Sequence, residues 1–166
     1  MLLELRSADR RFGAGLERAA AKTLASLSSS CWPLETGGIL LGRYSTSLDL
    51  AIVQRALPPP RNSQQGRTWF ERGTQGLQKI LTESWHKPQN AREYYLGEWH
   101  SHPDGPPFPS ERDRTQMQEI AESESCHCPE PILLLIAGRP RRWEVAGFVF
   151  RRNARLVELG RCSLDR

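Results

Sequence analysis

Two histidines one residue apart, and an aspartate shortly downstream, are the residues of this chain best suited to chemistry. They lie in Gly97-Glu98-Trp99-His100-Ser101-His102-Pro103 and in Ser110-Glu111-Arg112-Asp113. Side chains two apart on a strand share a face. His100 and His102 therefore offer two imidazoles to one metal, while Trp99 and Ser101 face the other way. Pro103, Pro106, Pro107 and Pro109 stiffen the loop that follows, each fixing its own φ. That loop ends at Ser110, a favourable N-cap residue, which puts Asp113 in the first turn of a helix where a carboxylate is electrostatically favoured. Three such ligands leave the fourth position of a zinc ion to water, whose pKa then falls to about 7. Taken singly, a strand His is most often structural and Ser-x-x-Asp is often only a helix start. In this order, with a proline directly after the second His, they point to one catalytic Zn2+ per chain.

Hydrolysis also needs a proton shuttle, and the ligands cannot serve, because each must stay deprotonated toward the metal. Glu35 stands immediately before Thr36-Gly37-Gly38-Ile39-Leu40-Leu41-Gly42. It falls between a predicted helix and an apolar strand, where the glycines let a backbone or a substrate approach closely. The local context leaves two readings open, a proton shuttle or an exposed turn residue. His86, just before Pro88 at a predicted helix end, reads as structural or exposed. None of the cysteines has the surroundings of a nucleophile.

Positioning these groups requires strands and helices in alternation. Leu16, Ala20, Leu24 and Leu27 recur at helical spacing, so a helix is expected over Gly15 to Ser30. Gly37 to Tyr44 reads as a buried strand, with Leu48 to Leu57 as its hairpin partner carrying Leu50, Ile52 and Ala56 on one face. Pro58, Pro59 and Pro60 stop that strand. Arg61 to Arg72 is the longest expected loop; its Trp69 and Phe70 are either exposed anchors or core residues. A helix follows through Leu77, Ile80, Leu81 and Trp85, then a strand from Tyr94 to His102 and a helix from Ser110 to Glu124. Pro131 to Gly138 and Trp143 to Phe150 are strands joined by a charged turn. The expected fold is α/β, a mixed β-sheet flanked by helices, in one domain over 1–166.

Composition narrows the setting. The chain of 166 residues is 38% hydrophobic and 25% charged, as a soluble globular protein is. Glu4, Arg6, Asp9, Arg10 and Arg11 leave no room for a signal-peptide apolar region, and the run Ile132 to Ala137 is too short to cross a bilayer. A cytoplasmic protein with no membrane partner is expected, with Cys31, Cys126, Cys128 and Cys162 mostly reduced. Cys126-His127-Cys128 hints at a second metal site, but its spacing is tighter than a usual zinc turn and no second cysteine pair exists. The net charge of +4 sits late, at Arg139, Arg141, Arg142, Arg151, Arg152, Arg155 and Arg161. Such a cluster suits an acidic partner or nucleic acid, or is a solvated strand edge.

Glu35, then His-x-His-Pro at His100 and His102, then Ser-x-x-Asp at Ser110 and Asp113, with ten residues between His102 and Asp113, resembles the signature of the JAMM (MPN-type) zinc metalloproteases. The resemblance spans nearly the whole chain and implies a cytidine-deaminase-like JAMM/MPN fold. It implies that His100, His102 and Asp113 bind zinc, that Glu35 is the general acid/base, and that Ser110 stabilises the oxyanion. Glu35 to Tyr44 and Tyr95 to Pro103 further resemble short bacterial members encoded with ubiquitin-like conjugation enzymes in antiviral defence operons. That likeness implies hydrolysis after the C-terminal glycine of a ubiquitin-like protein, in deconjugation or precursor processing. Its partners would be that protein, its conjugates and the conjugation enzymes of the same operon. Two alternatives share the fold: a non-catalytic MPN scaffold, which lacks the ligands, and a DNA-associated branch suggested by Pro103 to Ser110 and the late arginines. With the ligand positions intact, nucleic acid is not the expected partner. A nucleoside deaminase is disfavoured because its His-x-Glu and Pro-Cys-x-x-Cys elements are missing.

Overall fold

A computed structural model describes residues 3–164, so the ends of the expected domain, 1–2 and 165–166, lie outside the described residues. In chain order the elements are β1 (Leu3–Arg6), β2 (Gly13–Leu16), α1 (Arg18–Cys31), β3 (Gly37–Tyr44), β4 (Ala51–Ala56), β5 (Gln64–Gln65) and β6 (Phe70–Glu71). They continue with α2 (Leu77–Trp85), β7 (Tyr94–Pro103), α3 (Glu111–Glu122), β8 (Ile132–Arg139), β9 (Arg142–Val149) and β10 (Val157–Ser163). Eight of the described strands form one mixed sheet in the order β1-β2-β4-β3-β7-β8-β9-β10. The strand carrying both histidines therefore lies inside the sheet, antiparallel to β3 and parallel to β8.

Helices cover both faces. Ala20, Ala21 and Leu24 of α1 pack with Leu40, Val53, Trp99, Leu134 and Ile136 on one side. On the other, Met117, Ile120 and Ala121 of α3 pack with Leu133, Leu135 and Phe148, and Leu77 of α2 joins Ile39, Leu41 and Leu57. β8 is therefore apolar at every position from Ile132 to Ala137, because a strand covered on both faces has no solvent side. Among the described residues no helix is long and apolar enough to cross a membrane.

Three expectations need correction. The first helix begins at Arg18, not Gly15: Gly15 and Leu16 pair with Ile52 and Val53 in the sheet. Leu16 reaches the same core as Ala20 and Leu24, which is why its spacing mimicked a helix. In β4 the core-facing set is Ala51, Val53 and Ala56 rather than Leu50, Ile52 and Ala56. The register slips between Leu41 and Gly42, opposite Arg55 and Val53, so an extra residue reverses the alternation part-way. The stretch 61–72 is not a plain loop: Gln64–Gln65 and Phe70–Glu71 pair as a small antiparallel hairpin. Its two aromatics divide, Phe70 being buried and Trp69 36% exposed.

Candidate metal centre

β7 delivers His100 and His102 to the face that α3 covers. Trp99, on the other face, is buried in the α1 core and its Nε1 donates to Leu57 O at 2.9 Å. The third group arrives from α3. Ser110 is its N-cap, and the cap is reciprocal: Ser110 Oγ accepts from Asp113 N at 3.2 Å, while Asp113 Oδ2 accepts from Ser110 N at 2.7 Å. This capping box fixes the rotamer of Asp113 and aims the carboxylate at the histidines. Asp113 Oδ1 lies 2.6 Å from His100 Nδ1, and Oδ2 lies 3.2 Å from His102 Nε2. His102 is held from behind, its Nδ1 3.1 Å from Pro106 O of the proline-rich loop. All three side chains are buried. Burial alone would raise the Asp113 carboxyl, but hydrogen bonds from His100 and His102 hold it well below the usual carboxylate range.

Glu35 stands at the same end of the sheet, two residues before β3, where the charges of His102, Asp113 and His100 act on it. Gly37 is registered opposite His100, and Ser101 stitches the junction: its N–H donates to Thr36 O at 2.7 Å and its Oγ accepts from Thr36 N at 2.9 Å. The Glu35 N–H donates to Gly66 O of the β5–β6 hairpin at 2.8 Å. Glu35 is half-buried, and desolvation pushes its carboxyl above the ordinary value, against the opposing pull of His102. A raised carboxyl is what a proton shuttle near neutral pH requires.

The hairpin forms a wall of the site. Phe70 packs edge-on against His100 with ring centroids 5.4 Å apart. A Cβ on Gly37 would stand 2.6 Å from His100 Cδ2 and 2.7 Å from Phe70 Cε1, so only glycine lets this strand pass so close. Arg112 of α3 caps the Trp69 ring at 5.4 Å and pairs with Glu71 at 3.2 Å. Phe70, Gly37 and Ser101 escaped identification as site residues, although the Gly-Gly pair and the residue between the histidines were visible signals.

Among the described residues no group of three His, Cys, Asp or Glu side chains stands at metal-ligating spacing; Asp113 instead contacts one nitrogen of each imidazole. The donor set nonetheless suits zinc. His100 Nε2 is buried without a hydrogen-bond partner, an expensive state for a ring nitrogen unless a ligand completes it. The 3.2 Å between His102 Nε2 and Asp113 Oδ2 matches the roughly 3.3 Å between neighbouring ligands of a tetrahedral zinc bonded at about 2.0–2.1 Å. Elsewhere the histidines and cysteines are dispersed. His86 is exposed at the end of α2 with Nδ1 2.7 Å from Thr82 O. Cys126 is exposed, whereas Cys128 is buried with its sulfur 4.0 Å from the Tyr44 hydroxyl.

Residues 17–149 match the family model of prokaryotic homologs of the JAB domain. The chain belongs to that family. Among curated relatives of this JAB-domain chain, the CD-NTase/cGAS isopeptidase of Enterobacter hormaechei is 38% identical over 73% of the chain and 67% of its own length. A protein of the same name from Pseudomonas aeruginosa is 32% identical over 63% of each. The protein named Probable metalloprotease y4qB, from Sinorhizobium fredii, is 26% identical over 66% of each. The chain thus matches about two thirds of the length of these relatives, 67%, 63% and 66%. The solution structure of protein DSY2949 from Desulfitobacterium hafniense shares the fold, with a TM-score of 0.59 and 22% identity over 90% of this chain and 88% of that one.

Proposed function

We propose that this JAB-family chain is a zinc-dependent isopeptidase of bacterial anti-phage defence, acting in the cytoplasm. It hydrolyses the bond after the C-terminal glycine of a conjugated protein, either a ubiquitin-like protein or a CD-NTase/cGAS-type protein. The observation that carries this reading is the meeting of two imidazoles, a buried carboxylate and the desolvated Glu35 at one end of β7. The isopeptidase and metalloprotease names of its relatives support a hydrolytic role and favour conjugates over general protein substrates.

His100, His102 and Asp113 would hold the zinc, which when bound supplies a Lewis acid that polarises the scissile carbonyl and acidifies water. Glu35 takes the proton of the attacking water and returns it to the leaving amine. Its raised carboxyl suits the first transfer, since a group that binds a proton too weakly takes it from water poorly. Ser110 Oγ donates to Asp113 Oδ2 at 2.7 Å. It orients that carboxylate first, and donates to an oxyanion only when the hydroxyl turns toward substrate. Phe70 excludes water from one side of His100.

The test uses two substrates, a CD-NTase and a ubiquitin-like protein, each fused through its C-terminal glycine to a reporter and mapped by intact mass after incubation. Cleavage directly after the glycine of one of them is expected, abolished by chelation and untouched by thiol alkylation. Cuts inside the reporter, or indifference to the chelator, would overturn the proposal.

A further inference from the structure

The catalytic end of the sheet has a second side that the chemistry above leaves unused. β8 and β9 join through Arg139-Pro140-Arg141-Arg142, with Arg139 and Arg142 facing each other across the ladder and Arg141 at φ 67°. The turn is fixed beside the site. His102 is registered with Ala137 and Pro103 with Gly138, and the Asp104 N–H donates to Gly138 O at 2.7 Å. Arg139, Arg141 and Arg142 are all exposed, and none enters an ion pair among the described residues. Two later arginines differ: Arg151 is matched by Glu130 at 3.4 Å and Arg161 by Glu144 at 3.7 Å.

An aromatic anchor lies at the same end. Trp143, next to Arg142, donates from Nε1 to Ser29 Oγ at 2.8 Å and so ties the turn to the last turn of α1. Trp32, which closes α1, is 43% exposed, and Glu35 follows it by three positions. Tryptophan and arginine are the residues that most often carry binding energy at protein interfaces. Three like charges on one short turn raise a local positive potential that an acidic partner relieves.

We propose that Trp32 and the Arg139–Arg142 turn form a docking face for an acidic segment of the conjugated protein. The proposal deepens the isopeptidase reading and rests on it for the identity of the partner. A protein partner suits this face better than nucleic acid: its three arginines sit on a single turn and do not line a groove that could track a phosphate backbone.

The test uses the full chain carrying Glu35→Gln, so that binding is read without turnover. The probes are a fluorescein-labelled dodecapeptide of Glu and Leu, its Gln-for-Glu counterpart, and duplex DNA, followed by anisotropy. The acidic peptide is expected to bind at low salt and the Gln peptide to fail. Binding should weaken at least ~10-fold in the triple variant Arg139→Glu, Arg141→Asn, Arg142→Glu, and also as salt shortens the screening length. Asn is used at 141 because it tolerates positive φ. The milder pair Arg139→Gln, Arg142→Gln should fall between, which guards against misfolding of the triple variant. Equal binding by wild type and variants, no saturable binding of the acidic peptide, or tighter binding of DNA through the same arginines overturns the proposal. With Glu35 restored, the triple variant should raise KM for the conjugate while kcat stays unchanged. If wild type cleaves no conjugate, the isopeptidase reading fails, and the peptide result still decides whether the face binds acidic chains.

Discussion

Glu98 and Asp113 are both buried carboxylates against the same face of β7, and basic side chains meet each of them. Around Glu98 every demand is satisfied. Arg72 Nε reaches both oxygens at 2.9 and 2.7 Å, the Tyr95 hydroxyl donates at 3.0 Å, and Gln116 Nε2 lies 3.5 Å away. Burial, and then the Glu98 charge, keep the Tyr95 hydroxyl protonated well above its ordinary value, so it remains a donor. Around Asp113 the arrangement stops one partner short, because His100 Nε2 has none. The saturated cluster holds the end of the hairpin to the strand; the incomplete one leaves a buried ring nitrogen without a partner. Two residues of separation along β7 distinguish a satisfied ion pair from the proposed site, and the difference lies in what is left unpaired.

Changes at the incomplete cluster should have the largest effect. His100→Ala, His102→Ala and Asp113→Ala should each strip zinc, read by elemental analysis, and abolish hydrolysis; full zinc content in the double His variant would end the comparison. Glu35→Gln should keep the metal and lower turnover by about 10²–10⁴-fold, as loss of a general acid/base does; near-normal turnover would move the shuttle elsewhere. At the saturated cluster the reading is stability. Arg72→Met should cost about 3–5 kcal/mol in denaturant unfolding by stranding Glu98, while Arg72→Met with Glu98→Leu should recover most of it. A double variant as unstable as the single would show that the pair does more than satisfy itself. Ser110→Ala should cost about 1 kcal/mol as a lost N-cap and, by releasing Asp113, weaken zinc retention.

The smallest effect concerns Glu93. Burial raises its carboxyl, but hydrogen bonds from Lys87 and Arg55 outweigh that and hold it below 4.5. Its folded pKa is depressed, so its contribution is complete above about 4.5 and fades as pH falls through the folded value. Glu93→Gln should therefore lower stability in the neutral range, flatten that acid limb of a stability–pH profile and leave the strongly acidic end unchanged.

Much of the site was legible because its pieces are local. Alternation placed His100 and His102 together, and Ser110 announced both the start of α3 and the position of Asp113. The central strands were legible because continuous apolar runs bounded by glycine and charge have few other homes. What escaped depends on distant partners. β1, β2 and β10 are short or lie toward the sheet edges, and their periodicity is too weak to read. The face of β4 turned on a bulge that only its pairing with β3 reveals. Nothing near Arg72 says that it meets Glu98, and nothing near Phe70 says that it rests on His100.

The register of Gly37 against His100 also sets when a new molecule first becomes competent during synthesis. Chains emerge from their amino end, so Glu35 leaves the ribosome early and waits. β3 gains β4 at once as a neighbour, but the histidines come only with β7 and the carboxylate only with α3. Until the polypeptide has grown past Asp113 and the middle of the sheet has closed, the parts of the site exist on segments that have not met. A nascent chain built in this way cannot bring Glu35, the histidines and Asp113 together before its central strands have paired.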